Sequence, residues 1–253
     1  MKVYFVGAGP GDPELLTVKA QRLLHGARLC IYAGSLVNPE LLKLLRADAA
    51  RYDSAGMNLD EIIAVCRKAH RENVDVIRLH TGEPAIYGAI GEQMDALDAL
   101  GIDYEVVPGI SAFQASAAAL RIELTAPEIA QTVILTRCPG RTPMPPSEDL
   151  AQLARSRATL CIFLSTDKVS ELTTTLREHY GPECPAALVF HASWPDEQVI
   201  RGTLADIGDK IRAAGIQRTA LFLAGYALAR PLPYASKLYD KTFAHGYRKG
   251  TLT

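Results

Sequence analysis

Short apolar runs alternate along the chain with stretches in which apolar residues recur every three or four positions. Val3 to Val6 is an apolar run closed by Gly7, and within 14–25 Leu16, Ala20, Leu23 and Leu24 fall at helical spacing. Strand, glycine-rich loop and helix are predicted in that order. The alternation continues with a strand at 28–32, a helix at 39–45, an amphipathic helix carrying Leu59, Ile62, Ile63 and Cys66, and a strand at 75–79. A helix at 91–100, a strand at 104–107 and an alanine-rich helix at 110–120 follow. Repeated strand–helix units of this kind predict a mainly parallel sheet with helices on both faces.

The pattern breaks around Pro127, so 122–131 reads as a linker between an N-terminal α/β domain, 1–121, and a C-terminal α/β domain, 122–253. Strands are predicted in the second half at 132–137, 159–164, 187–190, 198–202 and 220–223. The stretch 138–147, with four prolines, reads as an exposed loop. A hairpin around Trp194-Pro195-Asp196 makes a mixed sheet the expectation there.

A length of 253 residues suits two such lobes, because single cores stop growing at roughly 250–300 residues. With 48% hydrophobic and 22% charged residues the composition is globular. Twenty-seven Lys and Arg against 28 Asp and Glu leave no overall positive field to draw in nucleic acid. The longest apolar runs, such as 158–164, fall far short of the ~20 residues of a membrane span. Cys30, Cys66, Cys138, Cys161 and Cys184 form no C-x-x-C pair and no metal-ligand spacing, so reduced core thiols, no metal site and a cytoplasmic location are expected.

Candidate chemistry sits in loops at strand ends, where open α/β sheets bind ligands. The opening strand and loop, Val3 to Pro13, are expected to form one wall of the cleft. The glycines of Gly7-Ala8-Gly9-Pro10-Gly11-Asp12-Pro13 let backbone approach a ligand. Its G-x-G-x-G spacing, and a second strand ending in Ala33-Gly34 rather than an acid, weigh against a dinucleotide fingerprint. Asp12 weighs against phosphate, and a tight turn without ligand is the plain alternative. In Arg78-Leu79-His80-Thr81-Gly82-Glu83-Pro84-Ala85-Ile86-Tyr87-Gly88 the backbone around Thr81 to Glu83 suits a small polar ligand, with Ile86 and Tyr87 as apolar walls. His80 reads as a structural hydrogen-bonding residue, and Glu83 is open between a structural and a binding role. Ser111, in Val107-Pro108-Gly109-Ile110-Ser111-Ala112, either caps a helix or contacts a ligand. Leu164-Ser165-Thr166 and Phe190-His191-Ala192-Ser193 belong to the second half and are expected to face these loops.

Taken in order, these loops resemble the tetrapyrrole methylase family, whose members show V-G-x-G-P-G-D-P-x-L-L-T, R-L-x-x-G-D-P-x-x-Y-G and V-P-G-I-S-A. Val6 to Thr17, Arg78 to Gly88 and Val107 to Ala112 carry the match. The resemblance implies two α/β domains with S-adenosylmethionine in a cleft between them, an architecture distinct from Rossmann-like methyltransferases. It implies cofactor contacts at Pro10, Thr81, Gly82, Glu83, Ile86, Ser111, Ala112, Leu164 and Ala192, with Glu83 standing where the family usually has Asp and Ala192 where some members have Gly.

Within the family, Tyr32 to Val37, His80 to Gln93 and Tyr234 to Arg248 look like the precorrin-4 carbon-11 methyltransferases of cobalamin synthesis, which make precorrin-5. Uroporphyrinogen methylases tend to carry Asp-Arg where Ala33-Gly34 stand. The alternatives are cobalt-precorrin-4 as substrate, another ring position or uroporphyrinogen as acceptor, and a non-catalytic tetrapyrrole- or nucleotide-binding module. Asp12, Ser35 and Tyr87 are the substrate-side candidates. Asp12, Ser35 or a bound water is left to accept the proton, so no catalytic residue is assigned. Arg121, Arg137, Lys168, Arg230 and Lys237 are candidate carboxylate partners or solvated surface charges. A homodimer is expected from the resemblance, and charge and apolar run length lead to no expectation of nucleic acid or membrane as partner.

Overall fold

A computed structural model describes residues 1–140, 142–232 and 236–251. It divides into two compact units, Met1–Ala119 with His191–Gln198, and Leu120–Phe190 with Val199–Thr253.

The first unit is built on five parallel strands, β1 (Lys2–Gly7), β2 (Leu29–Tyr32), β3 (Ala50–Asp53), β4 (Val76–His80) and β5 (Asp103–Val107), in the order β3-β2-β4-β1-β5. Strand alternation sends Val3, Phe5 and Val76 to one face, under α3 (Leu59–Arg71) and α4 (Gly91–Ala99). Val6, Ile77 and Leu79 face the other way, under α1 (Val18–Gly26) and α2 (Pro39–Leu42). Asn58 starts α3 with a capping box: its side chain accepts from Glu61 N at 3.0 Å and Glu61 accepts from Asn58 N at 2.8 Å. The unit closes with α5 (Ala112–Leu120), which continues into the second unit.

Strand order decides where the chemistry falls. β1 lies between β4 and β5, with Gly7 level with His80 and Val6 level with Val107. The three glycine-bearing loops therefore leave adjacent strands from the same edge. β3 carries no signal in the hydrophobic pattern, because this edge strand Ala-Arg-Tyr-Asp buries no residue fully.

The second unit holds β6 (Val133–Arg137), β7 (Thr159–Phe163), β8 (Pro185–Phe190), β9 (Gln198–Thr203) and β10 (Ala220–Ala224), in the order β6-β7-β10-β8-β9. β6 and β7 are parallel, and β10 runs antiparallel to β7 and β8, so the sheet is mixed. Leu160, Ile162, Leu188 and Phe222 pack with residues of α6 (Leu150–Ala154), α7 (Val169–Tyr180) and α8 (Ile207–Ala213). The hydrophobic pattern did not announce these helices. α6 and α8 span at most seven residues, and α7 contains three consecutive threonines, of which Thr173 and Thr174 return their hydroxyls to Ser170 O. The stretch expected to be a linker is packed: Ala126 and Ala130 exchange backbone hydrogen bonds and are buried with Ala227.

All five cysteines are free and buried. Burial pushes Cys30 and Cys161 up to about 12, so neither is a thiolate nucleophile at neutral pH.

Candidate active site

Three backbone segments meet at the C-terminal edge of the first sheet because glycines let them. A Cβ on Gly7 would lie 2.5 Å from Gly109 Cα and 2.7 Å from Gly82 O, and one on Gly109 would lie 2.1 Å from Gly82 O. Only hydrogen fits at either position. Ala8 N donates to His80 O at 2.7 Å, and Gly9 and Gly82 exchange hydrogen bonds of 3.3 and 2.8 Å. Gly82 itself has φ +60, with the position of an absent Cβ 3.7 Å from Ser111 Cα and 3.9 Å from Ala112 N. The structure thus brings Gly82, Ser111 and Ala112 together.

Glu83 explains its extra methylene by reach. One carboxylate oxygen accepts from Ala85 N at 2.9 Å and the other from Gly109 N at 2.8 Å, so the side chain ties the second loop to the third. Ser111 is buried and its N–H donates to Gln114 Oε1 at 2.8 Å at the start of α5. Thr81 is exposed, Ile86 half-buried and Tyr87 47% exposed with φ 55.

The opening loop is held by a segment distant in sequence, His191–Gln198, which packs in the first unit. Trp194 Nε1 donates to Pro10 O at 2.8 Å, and the indole lies where a Cβ on Gly11 would be 2.0 Å from Cδ1. Asp12 N donates to Ser193 Oγ at 3.0 Å. His191 stacks on Trp194 at 4.8 Å between centroids, and its Nδ1 is 3.0 Å from the Asp196 carboxylate. Pro10 and the buried Ala192 thereby join the same neighbourhood. Asp12 accepts from Glu14 N at 2.8 Å, capping the short turn Pro13–Leu15. From α2, Asn38 donates to Gly11 O at 2.9 Å.

Beneath the second loop lies an unusual pair. Arg78 is buried, with Nε donating to Gln93 Oε1 at 3.0 Å and Nη1 to Ile31 O at 3.5 Å. Burial lowers its pKa. His80 is also buried, and burial together with the Arg78 charge lowers its pKa to about 3, keeping the ring neutral. Its Nε2 has no hydrogen-bond partner among the described residues, so the structural bond expected of His80 is made by its carbonyl.

The remaining expected residues fall elsewhere. Leu164 follows β7 in the second unit, 71% exposed with φ 52. Ser165 Oγ accepts from Cys138 N and donates to Phe163 O, both at 2.7 Å, a local turn. Ser35 falls in the single turn Gly34–Leu36, and its side chain lies outside the described residues, as do Tyr234 and Ala235 of the tail. Arg137 donates to the carbonyls of Cys138, Thr142 and Pro143, Lys168 donates to Pro139 O, and Arg230 donates to Arg121 O at 2.8 Å. Trp194, Asn38, Gln93 and the glycine contact were not anticipated as parts of the site. The one available signal was the chain's single tryptophan standing beside a proline in a polar turn.

The pattern of the tetrapyrrole (corrin/porphyrin) methylases matches residues 2–208, and the chain belongs to that family. Among its relatives, a cobalt-precorrin-4 C(11)-methyltransferase of Methanocaldococcus jannaschii is 52% identical over 98% of this chain and 96% of its own. A precorrin-4 C(11)-methyltransferase of Pseudomonas aeruginosa is 48% identical over 99% of this chain and 100% of its own. A solved cobalt precorrin-4 methyltransferase superposes with a TM-score of 0.88 at 43% identity, covering 90% of this chain and 96% of that one. A uroporphyrin-III C-methyl transferase from Thermus thermophilus, complexed with S-adenyl homocysteine, superposes with a TM-score of 0.76 at 30% identity, covering 90% and 93%.

Proposed function

We propose that this chain transfers a methyl group from S-adenosylmethionine to carbon 11 of precorrin-4, giving precorrin-5, within cobalamin biosynthesis. The observation that carries the reading is the convergence of Pro10, Gly82, Glu83, Ser111, Ala112 and Ala192 at one sheet edge, in a chain 52% and 48% identical to two carbon-11 methyltransferases. The two relatives differ in naming their substrate with or without cobalt, so cobalt-precorrin-4 is the second substrate form to test.

The residues present suit S-adenosylmethionine. The gap left by hydrogen at Gly82, facing Ser111 Cα and Ala112 N, is a backbone-lined cradle that a Cβ would fill. The cofactor contacts are assigned to Pro10, Thr81, Gly82, Glu83, Ile86, Ser111, Ala112, Leu164 and Ala192, as the family resemblance implies. In the same reading the working domains are 1–121 and 122–253; the unit boundary after Ala119 supports that division, and His191–Gln198, which packs in the first unit, departs from it. When bound, S-adenosylmethionine would supply an electrophilic sulfonium methyl, open to an electron-rich ring carbon with S-adenosylhomocysteine as the leaving group.

The chain's own task is then to position. Holding two reactants as a near-attack pair supplies roughly 7–11 kcal/mol of a barrier, against about 3–5 kcal/mol from one general base. Backbone locked by Gly7, Gly82, Gly109 and the Glu83 carboxylate suits that task better than mobile side chains. Asp12, Ser35 and Tyr87 are assigned to the substrate side, with Asp12, Ser35 or a bound water left to take the proton; the Asp12 carboxylate accepts from Glu14 N. A cytoplasmic homodimer acting on a small tetrapyrrole, without nucleic acid or membrane, completes the reading. The net charge of -1 offers no overall positive field for nucleic acid, and among the described residues no helix is long and apolar enough to cross a membrane.

Calorimetry with S-adenosylhomocysteine tests the cofactor assignment. Saturable heat and a rise in unfolding temperature are expected, and neither heat nor thermal shift would reject it.

A further inference from the structure

Residues 236–251 lie beyond position 208, where the family match ends, yet the carbon-11 relatives match 98% and 99% of the chain and so include this tail almost in full. Its fold is self-contained. Ser236 Oγ accepts from Leu238 N at 3.2 Å, and Asp240 accepts from Thr242 N at 2.8 Å and Thr242 Oγ1 at 2.7 Å. Arg248 Nη2 donates to the carbonyls of Leu238, Asp240 and Phe243 at 2.7, 2.6 and 3.3 Å. His245 and Arg248 exchange backbone bonds of 2.9 and 3.0 Å, and Thr251 N and Oγ1 both donate to Lys241 O at 3.0 Å. Gly250 is required, since a Cβ there would lie 2.2 Å from Thr242 O. Among the described residues, the hydrogen bonds of 236–251 all close within the segment.

Most polar groups are thus bonded inside the knot, Arg248 Nε being the buried exception, while its large apolar side chains are exposed. Leu238 is 50% exposed, Tyr239 84%, Phe243 41% and Tyr247 100%. Lys237, Lys241 and Lys249 stand exposed among them, and the segment carries four Lys and Arg against one Asp in a chain whose net charge is -1. Three exposed aromatic side chains within nine residues suit a contact role, and the local excess of basic side chains makes the complement anionic. A flat, apolar ring rimmed with carboxylates meets both demands, by stacking on the aromatics and pairing with the lysines.

We infer that the tail is a substrate-binding element that holds a polycarboxylate tetrapyrrole through Tyr239, Phe243, Tyr247 and the three lysines. This rests on the methylase reading and deepens it: the assigned S-adenosylmethionine contacts fall within the family match at 2–208, and the tail adds a binding element for the acceptor.

Two variants of the full chain test it, Tyr239→Ala/Phe243→Ala/Tyr247→Ala and Lys237→Gln/Lys241→Gln/Lys249→Gln, neither of which removes a bond that ties the knot. Uroporphyrin III, a stable octacarboxylate, is titrated by fluorescence, and KM for precorrin-4 is measured alongside. At least tenfold weaker uroporphyrin binding and a KM raised at least tenfold are expected, with S-adenosylhomocysteine affinity unchanged within twofold. The lysine variant should also lose most of the salt dependence of binding. Unchanged uroporphyrin affinity in both variants overturns the inference. So does a dimer-to-monomer change with KM preserved, which makes the surface a subunit contact, or tail-dependent binding of a single-stranded oligonucleotide in preference to uroporphyrin. Tail-dependent uroporphyrin binding without methyl transfer to any tetrapyrrole leaves the inference standing and rejects the methylase reading instead.

Discussion

Replacing Gly109 by alanine strikes the point where three loops meet. The new Cβ would sit 2.1 Å from Gly82 O, 2.8 Å from Gly7 Cα and 3.0 Å from Gly7 C. Non-bonded carbon contacts are comfortable near 3.5 Å, so the backbone must yield by about 1 Å. All three neighbours are backbone atoms with no rotamer to escape into. Forced packing of this kind costs about 1–3 kcal/mol. Displacing Gly82 also strains its paired bonds with Gly9, worth about 1 kcal/mol each. The total, about 2–5 kcal/mol, corresponds to a fall in Tm of about 5–15 °C for a chain of this size.

Binding should suffer as well, because the Gly82–Glu83 backbone moves relative to Ser111 and Ala112. A 1.4 kcal/mol loss is tenfold in affinity, and at least that is expected for S-adenosylhomocysteine. Gly101→Ala is the control. Gly101 has φ +64, but a Cβ there meets nothing within 4 Å. That variant should lose about 1–2 kcal/mol of stability from backbone strain and none of the affinity. Scanning calorimetry and titration calorimetry on both proteins decide the matter. A Gly109→Ala protein with the parent's Tm and affinity would refute the reasoning.

Other consequences follow from individual side chains. Burial and the Arg78 charge hold His80 at about 3 in the folded chain against an ordinary 6.5, so below pH 6.5 the unfolded chain binds a proton that the folded chain refuses. Stability should fall by about 1.4 kcal/mol per pH unit between pH 6.5 and 3, a slope that His80→Leu flattens in acid-denaturation curves. Gln93→Leu strips Arg78 of its 3.0 Å acceptor and should cost about 3 kcal/mol in urea unfolding, much of it recovered in the double variant with Arg78→Met. Trp194→Phe removes the bond to Pro10 O and should cost about 1 kcal/mol together with several-fold in cofactor affinity. As the chain's only tryptophan, Trp194 should change its fluorescence when S-adenosylhomocysteine binds.

The first sheet was legible because its inner strands β1, β2 and β4 are mostly buried and read as apolar runs, β4 most clearly. β3 escaped because an edge strand with one half-buried tyrosine leaves no run, and α7 because its threonines obscure helical preference. The ordered loops were visible as glycine and proline spacing. Their mutual contact was not, since it depends on strand order β4-β1-β5, which local pattern does not encode. Trp194 closing on Gly11 from 183 residues away is the same kind of fact. Glu83 looked ambiguous as a letter and became a strut only when Gly109 N stood within 2.8 Å.

The central claim is methylation at one ring carbon, and mass and carbon NMR spectra of the product test it most directly. The purified protein is incubated with precorrin-4, cobalt-precorrin-4 and uroporphyrinogen III in separate reactions, each with methyl-labelled S-adenosylmethionine. One labelled methyl at carbon 11 of precorrin-4 or its cobalt form is the predicted result. Label in uroporphyrinogen III alone, or in none of the three, would contradict it.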